Sequence, residues 1–372
     1  MINTMIRYAA ACAVALAATA STVHAAFILQ PKTSFGGGDG WLAPAEATHL
    51  QGASLQRGLT YNATNNHLYL VDRNGGSFIR ILDGTTGALL GSLDMTGVSG
   101  GTFAINMIDV DDSGVIYAAN LTTDTDSASP FKVYRWATEA SAPTVAYDSI
   151  VSPIANGADI RTGDSFAVIG SGANTRLVAG ASAASAAGNP GDNAFVLLTT
   201  GDGLSYSATV QDFVGTEPPN GVVRLGIDFI DADTIIGRQA TGTEAIVADF
   251  AGNVATQVAL AELNNSNESI LAIDRANSLL ATAQINTSDV RLYDIADPDN
   301  PVLLDTKNLT TAFVANGNGT GDLKFGNGML YVLNTNNGIQ AFNVVPEPAV
   351  MALLAGAAVV FAAYRRRLKE AL

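Results

Sequence analysis

The chain has 372 residues, 48% of them hydrophobic and only 14% charged, and its 19 basic against 34 acidic residues give a formal charge of −15. That length fits one large domain or two ordinary ones, with ample apolar material for a core. The acidic balance, with no Lys/Arg stripe interleaved with aromatics, repels phosphate backbones and argues against nucleic acid as a partner. The single cysteine, Cys12, lies in the first 25 residues, so the rest of the chain carries neither a disulfide nor a thiolate ligand.

Residues 1–25 have the order of a secretory signal: Arg7, an apolar run from Ala9 to Ala20, then small residues at Val23 and Ala25. Cleavage by signal peptidase is expected after Ala25. An apolar core of about a dozen residues falls short of the ~20 needed to span a bilayer. Ala9-Ala10-Ala11 before Cys12 lacks the leucine that a lipid-attachment signal would carry.

Residues 26–344 contain no long amphipathic helix. Short apolar runs alternate with Gly, Asn, Asp, Ser and Thr clusters, which predicts an all-β domain. The clearest unit runs from Gly58 to Leu93: Leu59-Thr60-Tyr61, then His67 to Val71 after Asn65-Asn66, then Phe78 to Leu82, then Ala88 to Leu93. This reads as a four-stranded meander, with Thr85-Thr86-Gly87 turning its third strand into its fourth.

Comparable units begin near Met107, Asp159, Leu225, Ile270 and Asp322, at intervals of about 45 to 65 residues, within or somewhat above propeller blade lengths. Six blades is the natural count and seven the alternative, with two stacked β-sandwiches as the other architecture. The last unit offers about three strands, so residues 27–55 are expected to supply the missing one and close the ring. The Ala/Ser/Gly stretch from Gly180 to Gly191 reads as a loop insertion. The phrases Tyr69-Leu70-Val71-Asp72, Val290 to Pro298 and Leu330 to Asn334 resemble β-propellers of the NHL and LVIVD-repeat kinds.

Catalytic signals are sparse. His49 and His67 lack ligand spacing. No Gly-x-Ser-x-Gly element sits between a strand and a helix, and Gly170-Ser171-Gly172 reads as a hairpin. Gly36-Gly37-Gly38 and Asn316 to Gly321 lack the Gly-Lys-Ser/Thr ending of a phosphate loop. Asp109, Asp228, Asp274 and Asp322 recur near the first strand of successive units, where they either approach a central channel or, as the favoured expectation, cap turns. Asp109, Asp111 and Ser113, with Gly114, match the first half of a calcium loop. The twelfth position is Asn120 rather than Glu, so a β-turn is the more economical reading. No cofactor is expected, calcium at this loop being the one alternative.

The last 28 residues hold Val345-Pro346-Glu347-Pro348, an uncharged run from Ala349 to Tyr364, and Arg365-Arg366-Arg367-Leu368-Lys369. Sixteen helical residues reach roughly 24 Å, a little short of a ~30 Å hydrocarbon layer, and arginines can snorkel to make up part of the difference. The basic cluster Arg365, Arg366 and Arg367 would hold that end in the cytoplasm. Residues 345–369 resemble the PEP-CTERM sorting signal of Gram-negative bacteria. The resemblance implies that an exosortase recognises Pro346, Glu347 and Pro348 and releases the domain from the inner membrane to the cell surface or matrix.

The expected protein is therefore an exported surface or extracellular-matrix protein whose propeller binds polysaccharide or another protein. No catalytic set is read from the sequence. The alternatives are an extracellular glycan hydrolase using paired carboxylates and a purely structural matrix component.

Overall fold

The computed structural model describes residues 26–125, 129–155, 160–183, 194–213, 218–238, 245–251, 254–260, 263 and 268–347. The chain divides into a large unit, residues 29–344, and a small one formed by residues 1–28 and 345–372. In the small unit the Glu347 amide donates to the Ala26 carbonyl at 2.6 Å. Ala25, Pro348, the run from Ala349 to Tyr364 and the cluster Arg365 to Arg367 lie outside the described residues. Among the described residues no helix is long and apolar enough to cross a membrane.

The large unit is built from antiparallel four-stranded meanders. The first has β3 (Gln56–Asn62), β4 (His67–Asp72), β5 (Phe78–Asp83) and β6 (Leu89–Ser92). The β5–β6 turn is shaped as expected, with Gly87 at φ 79° and its amide bonded to the Asp83 carbonyl at 2.8 Å. The second has β7 (Phe103–Val110), β8 (Ile116–Leu121), β9 (Lys132–Trp136) and β10 (Thr144–Asp148).

The next two meanders share one eight-stranded sheet. They are β11 (Ile160–Ile169), β12 (Arg176–Ala183), β13 (Ala194–Thr200) and β14 (Tyr206–Phe213), then β15 (Gly226–Asp231), β16 (Thr234–Arg238), β17 (Ala245–Ala251) and β18 (Val254–Leu260). A short parallel pairing of Asp212 with Val254 and Phe213 with Ala255 joins their outer strands. Because β11 and β15 also lie side by side, this sheet nearly closes on itself. β12 continues to Ala183, which corrects the loop expected from Gly180: a side chain at Gly180 would stand 2.1 Å from the Val223 carbonyl, so the glycine admits a close backbone crossing.

A fifth meander comprises β19 (Glu268–Asp274), β20 (Leu279–Gln284), β21 (Val290–Asp294) and β22 (Val302–Lys307). The last has β23 (Gly321–Gly326), β24 (Met329–Asn334) and β25 (Ile339–Pro346). Its free edge is covered as expected by residues from the start of the domain: β1 (Phe27–Pro31) and β2 (Trp41–Leu42) both lie against β25. Lys32 donates to the Ala341 carbonyl at 2.9 Å, and the Trp41 indole to the Asn337 carbonyl at 2.7 Å.

The first strands adjoin in the cycle β3, β7, β11, β15, β19, β23 and back to β3, giving a propeller-like ring. These inner strands are largely buried, and polar residues such as Thr60, Asp228 and Ser269 are buried within them beside the apolar ones. The outer strands β6 and β22 are largely exposed. The core lies between sheets: Tyr117, Phe131, Phe166 and Tyr206 pack the second against the third, while Phe35, Tyr61 and Tyr331 pack the last against the first.

Candidate functional site

Inner strands of neighbouring sheets are close but do not pair ladder to ladder, which leaves backbone N–H groups facing one another near the axis. Three aspartates satisfy them. Asp109 on β7 accepts its own Val110 amide and the Val168 amide of β11, both at 2.8 Å. Asp228 on β15 accepts Phe229 and the Ile273 amide of β19, both at 2.8 Å. Asp322 on β23 accepts Leu323 and the Leu59 amide of β3, both at 3.0 Å. Alternate sheets thus each send one carboxylate to the next sheet round the ring.

Lys324, two residues beyond Asp322, places its ammonium 2.6 and 2.7 Å from the two oxygens of Asp109. Burial opposes that charge, but the Asp109 and Asp228 carboxylates outweigh it and raise the Lys324 pKa. Burial raises the Asp228 pKa against the pull of Lys324 and Arg275. It holds Asp322 well above the carboxylate range, with the Leu59 amide opposing and Asp109 adding to the shift. The voids beside these groups are about 10 Å³ each, room for one water at most. Among the described residues the axis is therefore narrow at this depth.

The feet of the inner strands open onto a cavity of about 450 Å³, lined by Arg57, Phe103, Asn106, Leu121, Arg161, Asp164, Arg224, Leu225, Gly317, Asn318 and Thr320. Three arginines from three different meanders or the turns that lead into them thus line the cavity with one carboxylate among its described lining residues. Asp164 takes Arg161 in a two-pronged pair, at 2.5 Å from Nε and 2.9 Å from Nη2, with the Arg224 Nε 3.8 Å away. Arg57 donates to the Thr320 hydroxyl. Arg73 lies 3.8 Å over the Phe103 ring and reaches Asn106 Oδ1 at 3.4 Å, and among the described residues its buried Nε has no partner.

Burial dominates the electrostatics of these arginines. Burial lowers the Arg57 and Arg224 pKa values; Asp164 opposes this and Arg161 adds to it. Burial and then the Arg57 charge bring Arg73 down to about 10. The Arg161 pKa is raised, chiefly by its bond to Asp164. All four guanidiniums stay protonated at neutral pH, and the lowered values register the cost of holding cations together out of water. An entering anion would relieve that cost.

Backbone geometry fixes the site. Gly163, between Arg161 and Asp164, has φ +98°, and a side chain there would stand 2.0 Å from the Asn120 carbonyl. It lies in the irregularity of the β11–β12 register between Thr162 and Phe166, and the Asn106 amide ties down its carbonyl at 2.7 Å.

The candidates read from the sequence separate. Asp274 caps a turn, accepting the Ala276 and Asn277 amides at 3.1 and 3.3 Å. The turn-cap expectation fails for Asp109, Asp228 and Asp322, because the unpaired amides they serve lie on other sheets. Asp109, Asp111 and Ser113 do not form a cation loop. Asp109 is engaged at the axis, while Asp111 Oδ1 accepts the Ser113 amide, the Ser113 hydroxyl and the Val115 amide at 2.7 to 3.0 Å, as a turn requires. His49 is buried, and burial lowers its pKa. His67 Nδ1 meets Glu139 at 2.6 Å, and the same oxygen takes Tyr69 at 2.8 Å, an inter-sheet tie. Among the described residues no group of His, Cys, Asp and Glu could hold a metal.

The arginines Arg57, Arg73, Arg161 and Arg224 were not singled out by sequence reasoning. Arg57 and Arg224 stand one or two residues before Leu59 and Leu225, but Arg161 stands five before Phe166, so no common spacing marks the three.

Residues 59–187 match the model of a family described as a domain of unknown function (DUF4623). No match is found among curated proteins. The chain is similar to the solved structure of a DUF4623 family protein from Bacteroides eggerthii, with 17% identity, 82% of this chain and 74% of that one covered, and a TM-score of 0.58. It is similar also to a protein of unknown function from Bacteroides thetaiotaomicron, at 11% identity, 82% and 74% coverage and a TM-score of 0.50. A gluconolactonase from Xanthomonas campestris matches at 12% identity, 80% and 88% coverage and a TM-score of 0.48. At these identities the first two likenesses speak for the propeller-like fold and not for chemistry.

Proposed function

We propose that this is an exported surface protein whose domain is a six-bladed propeller that binds an acidic polysaccharide at the arginine-lined axial mouth. The observation that carries the reading is the convergence of Arg57, Arg161 and Arg224 on one cavity of about 450 Å³ in a chain of net charge −15. Arginines from separate repeats, Arg57 buried and Arg161 and Arg224 half-buried, gathered against the overall field, suit a carboxylate, sulfate or phosphate. In this reading residues 1–25 direct export and residues 345–369 direct exosortase sorting to the cell surface or matrix.

The hydrolase reading is weaker. Asp164 is the one carboxylate among the described lining residues, and both its oxygens are held by Arg161, so no acid and base pair faces the cavity among the described residues.

Calorimetric titration of the purified full-length chain with an oligoglucuronate and with its carboxyl-reduced, neutral counterpart tests the proposal. The acidic oligomer should bind and the neutral one should not. Arg57→Met and Arg224→Met should each weaken binding about tenfold or more, the order of one lost charge-assisted contact. Equal binding of both oligomers, or indifference to both substitutions, would overturn it.

A further inference from the structure

We infer that a second cavity, at the other end of the strands from the arginine mouth, takes an amino sugar through its ammonium group. Arg57 lies near one end of β3 and Asn62 at the other, and the two cavities share no lining residue.

This second cavity has a volume of about 370 Å³, the size that encloses a small ligand. Three tight turns of the first two meanders build it: the β3–β4 turn brings Thr64 and Asn65, the β7–β8 turn Ser113 and Gly114, and the β9–β10 turn residues 137–140. All its lining residues fall within the described stretches 26–125 and 129–155. Gly114 lets the turns meet, since it has φ +91° and a side chain there would stand 2.9 Å from the Thr64 hydroxyl. Its carbonyl accepts the Asn62 side-chain amide at 3.1 Å, which holds one meander against the next.

Glu139 is the one charged side chain among the described lining residues. Its Oε1 receives the Asn65 amide at 3.0 Å and the Tyr69 hydroxyl at 2.8 Å, and meets His67 Nδ1 at 2.6 Å. Three partners on one oxygen fix the carboxylate before any ligand arrives. Its Oε2 has no partner among the described residues, and the side chain is 28% exposed, so this oxygen is the acceptor left for a ligand.

The lining favours a ligand rich in donors. The Thr64 hydroxyl gives its proton to Asn62 at 2.6 Å and the Ser113 hydroxyl gives its own to Asp111 at 2.7 Å, so both oxygens remain as acceptors for sugar hydroxyls. A carboxylate with no Lys or Arg beside it in the lining, in a chain of net charge −15, attracts a cation, and an ammonium makes the stronger, charge-assisted bond to it. Tyr69 is the one aromatic among the described lining residues and it is buried, so no ring face is open to stack a neutral sugar and the charge carries recognition.

Calorimetric titration of the full-length chain with glucosamine, glucose, N-acetylglucosamine and cyclohexylamine tests the inference. Glucosamine should bind about tenfold or more tightly than each of the other three. Glu139→Gln keeps an oxygen for the three partners but removes the charge, and should lower glucosamine affinity about tenfold or more with an unchanged urea midpoint. Should that variant fail to fold, Ala140→Leu at an exposed lining position narrows the cavity without replacing the carboxylate and should weaken glucosamine likewise. Glucose or N-acetylglucosamine binding as tightly as glucosamine, or indifference to the substitutions, would overturn the inference. Cyclohexylamine binding as tightly would overturn the amino-sugar assignment. Because the two cavities share no lining residue, either failure leaves the acidic-polysaccharide reading standing.

Discussion

The Asp109 carboxylate accepts the Val168 amide at 2.8 Å across the gap between two inner strands, and the same oxygen receives the Lys324 ammonium at 2.7 Å. One side chain therefore closes a backbone vacancy and anchors the cation of the axis. Removing it by Asp109→Ala strands a buried ammonium and a buried N–H, at a cost of about 3–5 kcal/mol in urea unfolding. The double variant Asp109→Ala, Lys324→Met should lose less than the sum of the two single changes. A single-variant loss below about 1 kcal/mol would show that the tie contributes little.

Stability should depend on pH through Asp322. Its folded pKa lies well above its unfolded value, so the folded state retains a proton that the unfolded chain gives up. The resulting stabilisation is full below the unfolded pKa of about 3.9 and is lost as pH rises through the folded value. Asp228 acts in the same direction. Asp322→Asn removes the proton from the balance, so the gap in urea midpoint between parent and variant should shrink as pH rises from about 4.5 to about 8. A widening gap would contradict the assigned shift.

Gly163→Ala combines φ +98° with a methyl 2.0 Å from the Asn120 carbonyl. A loss of about 3 kcal/mol or more is expected in thermal or urea unfolding. Because Gly163 sets the approach of Arg161 and Asp164, oligoglucuronate affinity should fall as well, in whatever fraction remains folded. A neutral outcome on both readouts would contradict the fixed backbone at this point.

Replacing Pro346, Glu347 and Pro348 by alanine should keep the chain in the membrane fraction of the producing cell, whereas the parent should be released. Fractionation and immunoblotting read this directly. Unchanged release would remove the sorting reading while leaving the ligand site untouched.

Much of the ring was legible because its signals are local. Apolar runs broken by turn residues marked the strands of the first meander, and Gly87 marked its last turn. The need to cover the open edge of β25 pointed to the segment that supplies β1 and β2. The arginine mouth was not legible, because Arg57, Arg161 and Arg224 belong to different repeats and have no common spacing. The role of Asp109, Asp228 and Asp322 was misjudged as turn capping for the same reason. A turn cap needs amides two or three residues away, as at Asp274, whereas these three serve amides 45 to 263 residues distant.

The sequence by itself determined the all-β class, the repeating meanders and the acidic, cysteine-free character of the domain, since each follows from composition or from periodicity within a few residues. Only the tertiary structure decided which charges meet. Closing the ring sets the feet of distant strands side by side, and that juxtaposition, rather than any run of residues, gathers arginines into a mouth above an axis narrowed by Asp109, Asp228, Asp322 and Lys324.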